Sequence, residues 1–334
     1  METVRSPSHS RHHPLMILDQ TFACLKAAYD AGINFFDCAE GYADGESEAV
    51  MGRAIKHFGW KRNDIVVTTK IYHGTFNSAH KGTPRSKINN QGLSRKHIVE
   101  GTKLSLERLQ LEYVDLLYAH RPDRHVPMEE IVRAFNYLID TGKTFYWGTS
   151  EWLPSEIEEA WAVADRLGLI GPIVEQPGYN ILRRDNVEKA YAHAKLYERR
   201  GLGLTVFSPL ANGFLTGKYI DGIPEDSRLK QSDDPYIKSV ANSVGSEEWN
   251  KQQDAVRGLI KIAEKLGTDV ATLSMAWVIR NKNVSSAITG ASRPEQIWQT
   301  VRAVEVYKRL TDEVLQEIEV VVGNKPAALV QRYG

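Results

Sequence analysis

Cysteine is the scarcest chemistry in this 334-residue chain. Cys24 and Cys38 are the only two, too few to staple a fold of this size and in keeping with a reducing compartment. Charge of one sign is not in excess either. Lys plus Arg and Asp plus Glu number 42 each, so no overall positive field draws the chain to nucleic-acid phosphates. No apolar run approaches the roughly 20 residues needed to cross a bilayer. Residues 1–14, rich in Ser, His, Arg and Pro, lack the apolar stretch of a signal peptide. No strand is followed by a Gly-x-Gly-x-x-Gly turn, the signature of a doubly wound dinucleotide-binding sheet. What is there, 42% hydrophobic and 25% charged residues, describes a cytoplasmic, core-forming chain.

Apolar runs alternate with amphipathic stretches along the whole length. Residues 33–38, 65–70, 114–120, 144–150, 173–176, 203–209 and 285–291 are near-continuous apolar runs, as expected of parallel strands buried on both faces. Segments 19–32, 46–59 and 94–110 have helical spacing between them. Pro127 stands in the first turn of another helix, with Ile131, Val132, Phe135, Leu138 and Ile139 on one face and Gly142 at its end. Ser155-Glu-Ile-Glu158 reads as a capping box for a helix closed by Gly168. Further helices follow at 246–266, 268–281 and 312–322. The long connections 73–92 and 212–244 read as lids, binding elements or disordered segments.

This alternation, unbroken in composition, predicts a single domain over 1–334 with residues 1–14 as a disordered arm. Polar side chains end many strands: Asp37, Lys70, His120, Ser150, Gln176 and Ser208. A closed (β/α)8 barrel collects its working groups in that way, at the C-terminal ends of its strands. Such a barrel needs eight strands and only seven are legible, so the first is missing or replaced at the N-terminus. The short apolar run at 15–18 directly abuts the first helix.

The strand ends carry a coherent chemistry. Asp37 closes one buried strand, Tyr42 follows five residues later, and Lys70 closes the next strand. A lysine inside a barrel must be paired, because an isolated buried ammonium costs several kcal/mol, and Asp37 is one strand away. The ammonium in turn favours a neighbouring tyrosinate and lowers the phenol pKa from about 10. A phenol tuned in this way can give a proton to a carbonyl oxygen while hydride arrives at carbon. His120, ending a third strand, can orient the same oxygen. Each residue taken singly fits a structural Asp–Lys pair with a surface tyrosine; four suitable groups ending three adjacent strands reverse that preference.

The pattern Asp37, Tyr42, Lys70 and His120 resembles the catalytic tetrad of the aldo-keto reductases. The blocks Gly-Ile-Asn-Phe-Phe-Asp37, Gly-Leu-Ser-Arg-Lys-His-Ile-Val-Glu-Gly101, Ser-Leu-Glu-Arg-Leu-Gln-Leu-Glu-Tyr-Val-Asp115, Tyr-Trp-Gly-Thr-Ser150 and Gly-Asn-Lys-Pro326 are closer still to the branch of the voltage-gated potassium channel β subunits. The resemblance covers about residues 20 to 326. It implies a (β/α)8 barrel, an NADP(H) cofactor and reduction of aldehydes or ketones. Two departures matter. The channel subunits usually carry Asn where this chain has His120, which favours a working reductase. Their first strand, with its Gly-Thr-Trp-like segment, has no counterpart in residues 1–18.

Residue by residue, the resemblance assigns Ser150 and Gln176 to the nicotinamide carboxamide and Phe207 to stacking on the ring. It assigns Ser208, Pro209, Leu210 and Gly213 to the pyrophosphate, with Lys218 and Arg228 as its cationic clamp. In Gly290-Ala-Ser-Arg-Pro-Glu-Gln296, Ser292 reads as a helix N-cap and Pro294 as a first-turn residue. Helix N-termini attract anions, and with Arg293 and Gln296 alongside, a 2′-phosphate is the natural occupant. Glu151 stands where the channel subunits often carry Arg, so that contact is not carried over.

Other features read more plainly. Cys38 packs as a small hydrophobe, and His9, His12 and His13 belong to the arm rather than to a metal site. Trp161, Trp277 and Trp298 are packing residues, while Trp152 is allowed a place in the substrate pocket. Three functions compete on these grounds: a carbonyl reductase, a cofactor-sensing tetrameric partner of a potassium channel, and a truncated product with impaired cofactor binding.

Overall fold

The seven apolar runs form seven parallel strands hydrogen-bonded to one another in chain order. They are β1 (Phe35–Asp37), β2 (Val66–Ile71), β3 (Val114–Ala119), β4 (Thr144–Thr149), β5 (Val174–Glu175), β6 (Gly203–Val206) and β7 (Val284–Ala287). The computed structural model describes residues 14–75, 89–232 and 235–327. Within them the sheet curls into a nearly closed barrel of the (β/α)8 type, wrapped in helices. Among the described residues no strand joins β1 to β7. Of the arm expected over 1–14, residues 1–13 lie outside the described residues and Pro14 already opens a helix.

The helices are α1 (Pro14–Asp30), α2 (Glu46–Phe58), α3 (Arg95–Leu109), α4 (Met128–Asp140), α5 (Pro154–Leu167), α6 (Leu196–Arg200), α7 (Arg228–Gln231), α8 (Pro235–Asn242), α9 (Glu247–Lys265), α10 (Val270–Arg280), α11 (Pro294–Val301), α12 (Ala303–Val306) and α13 (Asp312–Val322). The run at 15–18 is the first turn of α1 rather than a strand. α1 packs against both α2 and α11, and Gln20 Nε2 donates to the Ser292 carbonyl at 2.6 Å. The helical layer therefore continues across the interval where the strand layer is open.

Two helix starts differ from expectation for one physical reason. α5 begins at Pro154, not after Ser155: Leu153 is its N-cap and Glu156 Oε2 accepts the Leu153 N–H at 2.8 Å. In α11 the N-cap is Arg293 rather than Ser292. In both helices a proline at the first position fixes the start, and a side chain three residues past the cap supplies the acceptor. The connection 212–244 also carries α7 and α8, and 177–202 carries α6 and a wide helical turn at Asn186–Tyr191. Of the 73–92 loop, residues 76–88 lie outside the described residues.

Burial follows the period of the strands. On β2, Val67 and Ile71 enter the core between sheet and helices, while Thr68 and Lys70 point into the barrel toward Asp37. On β3, Leu116 and Tyr118 line the interior with Val174 of β5, whereas Leu117 and Ala119 pack outward. Lys70 thereby arrives at the C-terminal mouth with no exposure to water.

Candidate active site

The register brings β1, β2 and β3 together at their C-terminal ends, with Asp37 beside Thr68 and Lys70 beside Tyr118. The Lys70 ammonium donates to Asp37 Oδ2 and, at 2.7 Å, to the Cys38 carbonyl. Asp37 Oδ1 accepts from Thr68 Oγ1 at 2.6 Å and from the Gln176 amide at 3.3 Å. Burial alone would push the Lys70 pKa down, but Asp37 and Tyr42 outweigh it and hold the group above its ordinary value. It is a permanent positive charge.

Tyr42 opens a tight turn after β1, in which Ala43 and Asp44 take left-handed backbone with φ of 48° and 57°. That conformation is uncommon for residues other than glycine, and it turns the phenol back over the strand ends. The Lys70 Nζ lies 4.8 Å from the centre of the Tyr42 ring. His120, just past β3, meets that ring edge-on with centroids 5.6 Å apart, and His73 meets His120 in the same way at 4.8 Å. Burial, then Lys70, Arg121 and His73, hold the His120 pKa well below the ordinary histidine value. The ring is neutral, and its buried Nδ1 has no hydrogen-bond partner among the described residues, which marks a polar atom that a ligand can complete. A phenol above a fixed ammonium and beside a neutral imidazole can protonate an oxygen and orient it.

Around the mouth, Ser150 and Gln176 end β4 and β5, and the Ser150 hydroxyl donates to the Gln176 carbonyl at 2.9 Å. Arg121 also donates to Ser150 Oγ, at 3.2 Å. Phe207 follows β6, half-buried, with the Arg183 guanidinium 6.0 Å from its centre. Arg183 is anchored in turn by Glu151, whose other oxygen accepts the Gly178 N–H at 2.7 Å. After β6, Ser208, Ala211 and Asn212 have φ of 52°, 47° and 56°, and Gly213 has 92°. A side chain at Gly213 would begin 2.8 Å from Lys218 Cε. This strained, concave backbone beside a lysine is suited to an anion.

A family model described as the aldo/keto reductase family matches residues 16–322. The chain belongs to the aldo/keto reductase family. It is 49% identical over 315 residues to a putative voltage-gated potassium channel subunit beta of Schizosaccharomyces pombe, covering 94% of this chain and 88% of the relative. A probable voltage-gated potassium channel subunit beta of Arabidopsis thaliana is 50% identical over 303 residues, 90% and 87% of the two chains.

Members of this family typically bind a nicotinamide dinucleotide, and this chain has residues that fit one. The unpartnered His120 nitrogen and the 208–213 cradle that a Gly213 side chain would crowd are the two signs. The α11 end is organised differently from the sequence expectation. Gln296 Oε1 accepts the Ser292 and Arg293 N–H groups at 2.8 and 3.2 Å, so those donors are already engaged, and an anion there must displace Gln296 or bind the exposed Arg293 side chain.

Two expectations for tryptophan are corrected. Trp152 is buried in the core, because the segment after β4 turns inward where Glu175 Oε1 accepts the Trp152 N–H. Trp298 is 50% exposed on the outer face of α11 and is not a packing residue. Cys38 packs in the core as expected, and burial pushes its thiol up to about 12. Sequence reasoning missed His73 at the mouth and the buried Glu40; the signal for His73 was its place three residues after Lys70, in the loop leaving the same strand.

Proposed function

We propose that this aldo/keto reductase is an NADP(H)-dependent carbonyl reductase that converts aldehydes or ketones to alcohols with Tyr42 as proton donor. The observation that carries this reading is the buried Asp37–Lys70 pair beneath the Tyr42 ring, with the neutral His120 edge-on to it. Bound NADPH is the source of hydride for the carbonyl carbon. Tyr42 holds the proton that the developing alkoxide takes, and Lys70 stabilises the tyrosinate left behind. Asp37 keeps Lys70 charged and fixed. His120 donates an N–H to the carbonyl oxygen and aims it at Tyr42.

In this reading Ser150 and Gln176 hold the carboxamide and Phe207 stacks on the ring. Ser208, Pro209, Leu210, Gly213, Lys218 and Arg228 hold the pyrophosphate. Gly290, Ser292, Arg293 and Gln296 face the 2′-phosphate. The protein works in the cytoplasm as one barrel domain, a reading supported by its two free cysteines. The test is an NADPH titration followed by fluorescence, then NADPH consumption with 4-nitrobenzaldehyde. Saturable binding and turnover are expected. A cooperatively melting protein that binds no NADPH refutes the reading, and weak binding with a non-cooperative melt favours the truncated-product alternative.

A second reading is favoured by the relatives named as potassium channel β subunits: a partner of a potassium channel, which we would expect to sense its cofactor and to assemble as a tetramer. Light scattering decides its first requirement. A tetrameric mass supports it, and a strictly monomeric mass tells against it. His120 inclines the balance to the enzyme, because a sensor has less need of a group that orients a carbonyl.

A further inference from the structure

Glu40 lies two residues before Tyr42, and its carboxylate is buried at 2% exposure. One oxygen, Oε1, accepts two backbone N–H groups, from Tyr72 at 2.7 Å and Gly74 at 2.8 Å. The other, Oε2, lies 3.2 Å from Nε2 of His97, itself buried at 2% exposure in the first turn of α3. His97 Nδ1 lies 2.8 Å from the Gly92 carbonyl oxygen. A carbonyl only accepts, so Nδ1 carries a hydrogen. Glu40 already accepts two N–H bonds and is suited to the ionised form, so Nε2 donates to it as well. Both ring nitrogens are then protonated, and His97 is a buried imidazolium facing a buried carboxylate.

The neighbourhood is built around this pair. Gly101, one turn along α3, leaves the space: a side chain there would begin 3.1 Å from Glu40 Oε2 and 3.2 Å from the His97 ring. The loops that the pair joins both border the candidate site. Glu40 is followed directly by Gly41 and Tyr42. The two N–H groups it holds flank His73, whose ring is edge-on to His120. A side chain at Gly41 would begin 3.1 Å from the His73 Cβ, so the two loops are in close contact above the pair.

We propose that Glu40 and His97 form a buried ion-pair clamp that positions the Tyr42 loop and the His73 loop against His120. They are positioning residues, since neither touches the site where the carbonyl reacts. The proposal rests on the reading of Tyr42 as the proton donor for its kinetic consequence, but not for the charge state of His97. Truncating His97 leaves Glu40 as a buried carboxylate without its cation, a loss that double replacement of both partners by apolar groups would not entail. A glutamine at 97 keeps an amide N–H in reach of Glu40 and carries no charge.

The experiment uses the full chain, labelled with ¹⁵N-histidine, as wild type and as His97→Gln, His97→Leu and Gly101→Ala. The wild-type His97 signal, assigned by its loss in His97→Gln, is expected to have imidazolium shifts at neutral pH. His97→Leu is expected to lower kcat for 4-nitrobenzaldehyde at least tenfold while the NADPH Kd stays within twofold. His97→Gln, which keeps the hydrogen bond to Glu40 but not the charge, should recover only part of that loss. Should His97→Leu fail to fold, Gly101→Ala carries the same comparison, with kcat lowered and NADPH binding kept. A neutral His97 ring, an undiminished kcat in His97→Leu, or a His97→Gln protein with the full wild-type kcat would overturn the clamp. If the wild type shows no turnover at all, the reductase reading fails and the imidazolium signal alone decides the clamp.

Discussion

Lys70→Met removes an ammonium from the interior of the barrel and leaves the volume nearly filled. The Asp37 carboxylate keeps the Thr68 hydroxyl and the Gln176 amide as donors but loses its counter-charge, and the Cys38 carbonyl loses its donor. Breaking one partner of a buried pair costs about 3–5 kcal/mol. Unfolding entropy scales at roughly 2.1 cal/mol/K per residue. For 334 residues that is roughly 0.7 kcal/mol/K, so Tm should fall by about 4–7 °C. The same change removes the charge that stabilises the tyrosinate, and positioned acid catalysis contributes about 10²–10⁴-fold. Lys70→Met should therefore lose most NADPH-dependent turnover with 4-nitrobenzaldehyde. Tyr42→Phe is the control: its phenol is half-buried at the mouth, so turnover should be lost while NADPH Kd and Tm stay near wild type. Scanning calorimetry and steady-state kinetics on the two variants measure both effects. A Lys70→Met protein with unchanged melting and kinetics would refute the buried pair and the assignment built on it.

Three further outcomes are expected. Burial pushes the Glu175 carboxyl up to about 8 from an ordinary 4.5; between those values the folded chain holds a proton that the unfolded chain has released, so stability falls as pH rises, by about 1.4 kcal/mol per unit. Glu175→Gln keeps acceptors for Trp152 and Tyr191 and should flatten the dependence of Tm on pH across that window, whereas an unchanged slope would show that Glu175 is already ionised there. Gly213→Ala forces a side chain into left-handed backbone at φ 92° against Lys218 and should weaken NADPH binding about tenfold by fluorescence titration, at a cost of about 1–3 kcal/mol in stability; unchanged affinity would remove the 208–213 cradle from the cofactor site. With Tyr42 as the proposed proton donor, reduction should weaken on the alkaline side, while alcohol oxidation, which would use the tyrosinate, should strengthen there; pH–rate profiles that move together in the two directions would contradict that role.

The strands were legible because parallel strands buried on both faces carry unbroken apolar runs, and because polar residues at their ends stand out against them. Their limits were less so. The run at 203–209 continues past Val206, where the regular strand ends; Phe207 keeps one parallel bridge to Gly178, and Ser208 leaves the ladder in left-handed backbone. Helix starts were misplaced where the cap residue has no side-chain acceptor: Leu153 and Arg293 offer none, and the acceptor comes from Glu156 and Gln296 further on. The Asp37–Lys70 pairing was inferable from adjacent strand ends. The Glu40–His97 pairing was not, since 57 residues separate the partners and neither stands at a strand end. Glu151 shows the same limit: its substitution for arginine was visible, but not that it anchors Arg183 beside Phe207.

The measurement that bears most directly on the account is rapid mixing of NADPH-saturated protein with 4-nitrobenzaldehyde, following NADPH absorbance for wild type and Tyr42→Phe. Wild type is expected to oxidise its bound NADPH in step with alcohol formation, and Tyr42→Phe to retain NADPH at near wild-type affinity but oxidise it at least a hundredfold more slowly, within the range for a lost general acid. Oxidation by Tyr42→Phe at the wild-type rate, or none by a wild type that binds NADPH, would contradict the account.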